Sequence, residues 1–268
     1  MCELFAMSSN LPATITYSLE EFSRHGGLTG PHKDGWGIAY YVQGDVRLIK
    51  EPTASHDSAC VRFIREHPFS STLVLSHIRL ATQGQPTMAN CQPYVRELGG
   101  AMHVFAHNGH LDPNGLRERF AHGYCRPVGD TDSEAAFCAL LARLERLWLN
   151  TNGVPPLTER VAIVGAFAAE LRVLGPANFL YADGDALFAH GHKRTHGKEG
   201  IRPPGLHVIC RHCAGETASM TTGGLTIAKG PVAQDVVLVA SVPLTAEPGW
   251  RPLDEGELVV IRDGVIVT

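Results

Sequence analysis

The sequence predicts an α+β fold in which antiparallel sheets carry helical layers. Strand-like stretches occupy both ends of the chain, two long amphipathic helices occupy its middle, and no strand-helix-strand alternation recurs of the kind that builds a parallel sheet. No internal repeat, low-complexity tract or linker divides the 268 residues, so one domain over 1–268 is expected. A hydrophobic fraction of 44% against 19% charged residues suits a globular chain with a substantial core.

The chain opens on Met1-Cys2 and runs directly into the apolar strand Glu3 to Met7, with no basic leader and no flexible arm before it. Ser18 to His25 reads as a short helix, Ser18 and Glu21 forming a capping box, stopped by Gly26-Gly27. A glycine-rich loop, Leu28 to Gly37, leads into a hairpin of Ile38–Val42 and Val46–Ile49 turned at Gln43-Gly44-Asp45. Asp57 to His67 carries one apolar helical stripe and ends at Pro68, and Thr72 to Arg79 is a strand covered on both faces.

Ala101 to Ala106 is a further strand, running into His107-Asn108-Gly109. Asn-Gly is the dipeptide of a type I′ turn, yet no second alternating strand follows it. Asp112-Pro113 and Leu116 to His122 look instead like a helix start. Thr131 and Glu134 have capping-box spacing at the head of a helix with Phe137, Leu140, Leu141, Leu144, Leu147 and Trp148 inward, and Leu157 to Leu174 is a second long helix closed by Gly175-Pro176. The rest reads as strands at 178–182, 186–190, 206–210, 236–241, 257–262 and 265–267, with Gly191 to Gly205 a polar surface loop.

Composition excludes some functions. A net charge of −4 with scattered basic residues leaves no footprint for nucleic acid, and no apolar run is long enough to span a bilayer. Seven cysteines in no regular framework suit a reducing compartment, so a cytoplasmic protein is expected.

Cys2 is the candidate nucleophile. Removal of Met1 would place a thiol of pKa near ~8.5 and an α-amine of pKa near ~7.7 to 8.0 on one residue, a nucleophile with its own base. Arg79, at the polar end of its strand, is either a solvated terminus or a fork for a carboxylate, with Thr82 just beyond. Asn108 and the Gly109 amide could face a developing oxyanion. Asp132 is explained equally by the helix dipole or by an ammonium partner. Together they would complement an amino-acid head group and a scissile carbonyl, as glutamine presents.

At these residues the chain resembles the class II glutamine amidotransferases, which are N-terminal nucleophile hydrolases. The resemblance rests on Met1-Cys2-Glu3-Leu4, His32 to Ala39, His77 to Thr82 with Gly84, Ala106 to Leu111 and Gly129 to Glu134, five motifs in order. The second half, with its Tyr181-Ala182-Asp183-Gly184 turn, looks like the subfamily in which this domain stands alone. The resemblance implies a four-layer αββα sandwich of antiparallel sheets with Cys2 at the end of a central strand. It implies that Cys2 attacks the glutamine side-chain amide, its own α-amine serving as base and acid, to give a γ-glutamyl thioester and ammonia, after which water releases glutamate. Asn108 and Gly109 would hold the oxyanion, Arg79 the substrate carboxylate and Asp132 its ammonium, with Thr82 lining the head-group site. No cofactor and no metal is implied, and an acceptor for the ammonia would belong to a partner protein.

Gln92 and Gln83 stand where many relatives carry histidine. Other readings are a hydrolase of another γ-glutamyl amide or peptide, a silent glutamine-binding module, and a metal-binding protein built on Cys210-Arg211-His212-Cys213 and the late histidines.

Overall fold

A computed structural model of the chain describes all residues except 16, 83, 121–122, 214–220, 223–224 and 227–232. The elements are β1 (Glu3–Ile15), α1 (Tyr17–His25), β2 (Trp36–Val42), β3 (Asp45–Glu51), α2 (Ala59–Glu66), β4 (Ser70–Ile78), β5 (Tyr94–Leu98) and β6 (Ala101–Gly109). There follow α3 (Pro113–Arg119), α4 (Asp132–Asn150), α5 (Leu157–Leu174), β7 (Ala177–Ala182), β8 (Leu187–His190), β9 (Arg194–Thr195), β10 (Ile201–Arg202) and β11 (His207–Cys213). The chain closes with β12 (Thr221–Thr222), β13 (Leu225–Thr226), β14 (Gln234–Ala240), β15 (Arg251–Pro252), β16 (Leu258–Arg262) and β17 (Val265–Ile266).

One sheet runs β15-β11-β14-β1-β4-β2-β3, with β13 also on β1, and a second runs β17-β16-β8-β7-β6-β5. Neighbours in both are antiparallel, as in β1 with β4 and β14 or β6 with β7. Side-chain parity then makes the layers. In β1, Phe5 and Met7 pack outward with Phe22 of α1 and Val61 and Ile64 of α2. Leu4 and Ala6 pack inward against Val104, Ala106, Leu180 and Ala182 of the second sheet. On that sheet's far face, Phe105, Phe179 and Tyr181 pack under Phe137, Leu141, Phe167 and Leu171 of α4 and α5. The order is helices, sheet, sheet, helices, the four-layer αββα sandwich. Each fully buried Leu or Phe in these layers contributes about 1.5–3 kcal/mol.

Several expectations shift. Asn108-Gly109 makes no turn: β6 continues through both, paired Asn108↔Asn178 and Gly109↔Ala177, because a partner strand takes up the backbone groups a turn would have left free. β5, absent from the sequence reading, pairs with β6 as its edge neighbour. The segment read as the loop 191–205 contains the β9–β10 ladder. α2 begins at Ala59 rather than Asp57, its N-cap Ser58 accepting from the Val61 N–H at 3.0 Å. The Ser18 cap falls on a side chain outside those described, and Gln83 and His122 lie outside the described residues. Cys125 and Cys138 are joined as a disulfide, a pairing their irregular spacing did not suggest.

Arg160 of α5, 2% exposed, donates to Asp183 at 2.7 Å and Asp185 at 2.6 Å, tying the helix to the β7–β8 turn. Arg160→Ala leaves buried Asp183 without its cation. We expect a loss of about 3–5 kcal/mol, read as a lower midpoint in urea unfolding. No described helix is long and apolar enough to cross a membrane.

Candidate active site

Cys2 stands one residue before β1 and shares the inward parity of Leu4 and Ala6. The register Glu3↔Ile78 and Leu4↔His77 brings the end of β4 beside it. The Leu80 N–H donates to Cys2 Sγ and the thiol donates to the Leu80 carbonyl, both at 3.4 Å. Burial pushes the thiol above its ordinary pKa, as does the charge of Asp132, while the Leu80 main chain, the N-terminal ammonium and Arg79 pull it down.

Arg79 is not a solvated strand end. It is 3% exposed, and its guanidinium donates to the carbonyls of Gly84 (2.9 Å), Gln85 (3.1 Å) and Asp34 (3.3 Å). Asp34 clamps the segment further: its N–H donates to the Arg79 carbonyl at 3.2 Å, and its Oδ2 accepts from Ala81 N–H at 2.8 Å. Thr82, next along this loop, is exposed.

Asp132 opens α4, whose N-cap Thr131 accepts from Glu134 N–H at 3.2 Å. The reciprocal half of the capping box is not made, since Glu134 turns to Gly129 N–H and to Arg96. Asp132 Oδ2 accepts from Leu111 N–H at 2.7 Å, docking α4 onto the chain leaving β6. Asn90 laces this corner to the Arg79 loop: its Nδ2 donates to Gln85 O at 3.0 Å and to Asp130 Oδ1 at 2.6 Å. A side chain on Gly84, which has φ of +70°, would meet Asp130 and Asn90 within 2.8 Å, so the lacing needs glycine there.

Asn108 is fully buried, and its Nδ2 donates to Ser241 Oγ at 3.3 Å. The same Oγ accepts from Leu4 N–H at 3.0 Å, and Ser241 N–H returns to the Leu4 carbonyl at 3.0 Å. One hydroxyl therefore fixes the Asn108 amide to the strand that carries Cys2. Gly109 has no room for a side chain, because a Cβ would lie 1.8 Å from the Pro176 carbonyl. Gln92 accepts from His107 N–H at 2.7 Å, so its side chain is spent on the β6 backbone.

Ser241, Asp34 and His77 were not singled out from sequence. His77 is fully buried between the sheets, held well below its ordinary pKa by burial first and by Arg79, His107 and His32. Its signal, a polar residue on the inward parity of an apolar strand two positions before Arg79, is readable once that parity is assigned. A cavity of about 420 Å³ opens beside Asp132 between Arg117, Arg126 and Asp130; Cys2, Arg79 and Asn108 are not in its walls.

Of the residues named in the metal-binding alternative, Cys210 is exposed on β11, and the Cys213 side chain lies outside those described. His190 and His192 are engaged by the main chain of Ala177. Among the described residues no group of three or more His, Cys, Asp or Glu is arranged to hold a metal.

The family model described as class-II glutamine amidotransferases matches residues 1–268. The chain is 35% identical over 259 residues to "Putative glutamine amidotransferase YafJ" of Escherichia coli (strain K12), covering 96% of each. It is 30% identical over 266 residues to a Haemophilus influenzae protein of like name, covering 98% of this chain and 85% of that one. Its fold matches the crystal structure of a "predicted glutamine amidotransferase from Pseudomonas aeruginosa PA01" with a TM-score of 0.70 and 33% identity over the whole of both chains. It also matches the glutamine phosphoribosylpyrophosphate amidotransferase of B. subtilis with a TM-score of 0.60, at 15% identity over 99% of this chain and 48% of that one, a likeness of fold alone. The chain belongs to the class-II glutamine amidotransferases.

Proposed function

We propose that residues 1–268 act as a single glutamine-hydrolysing domain whose nucleophile is Cys2 after removal of Met1. The observation that supports the reading is the Cys2 sulfur on the Leu80 main chain, next to buried Arg79, with Ser241 tying the Asn108 amide to the Leu4 backbone two residues on. Because burial holds the thiol up, little thiolate stands ready, and the proton must leave as the sulfur attacks. The free α-amine of Cys2 takes it.

The sulfur adds to the side-chain carbonyl carbon of glutamine, and the oxyanion is held by Asn108 Nδ2 and the Gly109 N–H, each donor contributing about 3–4 kcal/mol. The amine passes its proton to the leaving nitrogen and ammonia departs, leaving a γ-glutamyl thioester. Water, deprotonated by the same amine, cleaves the thioester to glutamate and restores the thiol. Arg79 takes the substrate carboxylate by exchanging a backbone carbonyl for a stronger, charged acceptor. Asp132 takes the α-ammonium, and Thr82 lines the head-group side. The ammonia is released or passed to an acceptor site on a partner protein.

The test joins three measurements on purified protein: intact mass of the N-terminus, ammonia release from glutamine against a panel of γ-glutamyl amides and peptides, and labelling by a glutamine analogue bearing an electrophile. We expect loss of Met1, ammonia from glutamine and label on Cys2. Label without turnover would make the protein a silent glutamine-binding module. Turnover of another γ-glutamyl compound in place of glutamine would reassign the substrate.

A further inference from the structure

Two histidines contact the residues on either side of Cys2 in the sequence. The turn that leaves α1 is closed by a bridge between Gly26 and Pro31. His25 Nδ1 meets Glu3 Oε2 at 2.7 Å, and His32 Nε2 meets the Met1 carbonyl oxygen at 2.7 Å. His32 is 5% exposed, and its Nδ1 faces the His25 carbonyl at 3.2 Å. Its seat is built tightly: a Cβ on Gly30 would lie 2.9 Å from His32 Nδ1 and 2.6 Å from the His25 carbonyl.

Both nitrogens of the His32 ring therefore point at carbonyl oxygens, and a neutral imidazole has one N–H to give. The carbonyl at Nε2 is the one that disappears when Met1 is cleaved. Oxygen and nitrogen of a peptide share one carbon, so Nε2 lies within about 5 Å of the atom that becomes the free amine of Cys2, within reach of a direct or single-water hydrogen bond.

We infer that His32 is a positioning residue for the α-amine of mature Cys2. Loss of the Met1 carbonyl lets Nδ1–H donate to the His25 carbonyl, which leaves the Nε2 lone pair turned to the amine. An amine N–H donates to Nε2, and the nitrogen lone pair is thereby aimed at the thiol from which it must take a proton. Glu3, ion-paired to His25 and also near Arg194, holds the turn in register with the residue after the nucleophile. This inference rests on the α-amine acting as base in the function proposed above.

The test compares full-length wild type with His32→Ala, His32→Leu, which fills the site without an acceptor, and His32→Gln, which keeps one, after mass spectrometry has shown Met1 absent from each. Initial rates of ammonia release give kcat and KM, and iodoacetamide alkylation of Cys2 reports the thiol without any substrate. We expect kcat to fall at least tenfold in the Ala and Leu proteins with KM within twofold, alkylation to slow in parallel, and the Gln protein to recover most of both. Unchanged kcat in the Leu protein, or equal losses in the Leu and Gln proteins, would overturn the assignment. If wild type released no ammonia from glutamine, the proposed function would fall, and the alkylation rates alone would still decide the role of His32.

Discussion

Cys2→Ala is expected to abolish ammonia release, a loss of at least roughly 10³-fold in kcat, while the thermal midpoint stays within a few degrees of wild type. The asymmetry follows from where the residue sits. It precedes β1, is half-buried, and its sulfur makes two long contacts with the Leu80 main chain, so alanine gives up about 1 kcal/mol of folding energy at most. No other described thiol is placed to take over. Cys91 donates to the carbonyls of Glu51 and Thr87 behind the Gly35 loop, Cys60 lies on α2, and Cys210 is exposed on β11. Thermal unfolding and an ammonia assay on the same preparation separate the two effects. Turnover that survives the substitution would remove Cys2 from the mechanism.

Gly109→Ala is expected to damage both activity and stability. The new methyl would stand 1.8 Å from the Pro176 carbonyl and 2.5 Å from His107 Nε2, one of them backbone, so the end of β6 must part from β7. Overpacking of this kind costs about 1–3 kcal/mol, and at this chain length each kcal/mol lowers the midpoint by about 2–4 °C. The same displacement carries the Gly109 amide and the neighbouring Asn108 side chain off the place the proposed mechanism gives the oxyanion. Losing one such donor lowers kcat by roughly 10²–10³-fold. A fall in KM-normalised activity no larger than the fall in folded fraction would show that this corner does not serve the reaction.

The long helices were legible because the 3.6-residue period and the cap at Thr131 agree with each other over nineteen residues of α4. Cys2, Arg79, Asn108-Gly109 and Asp132 each stand out within a short local motif. Their surroundings do not. Asn-Gly looked like a turn because local propensity cannot see β7, which supplies partners from seventy residues downstream. Arg79 looked either solvated or waiting, whereas the carbonyls of its own following loop already occupy the fork. Ser241 carried no local signal at all: it lies 237 residues from Leu4 and 133 from Asn108, and only the pairing of β14 with β1 brings it to them.

That pairing has a consequence for the order in which the structure around Cys2 is assembled. β1 is inserted between β4 and β14, and the hydroxyl that orients the Asn108 amide arrives with the residue after β14. A ribosome makes β1 first, so the Cys2 sulfur must wait for some 240 further residues before Ser241 joins its surroundings. A chain lacking β14 and Ser241 would carry the Cys2 thiol without the hydroxyl that ties the Asn108 amide to β1.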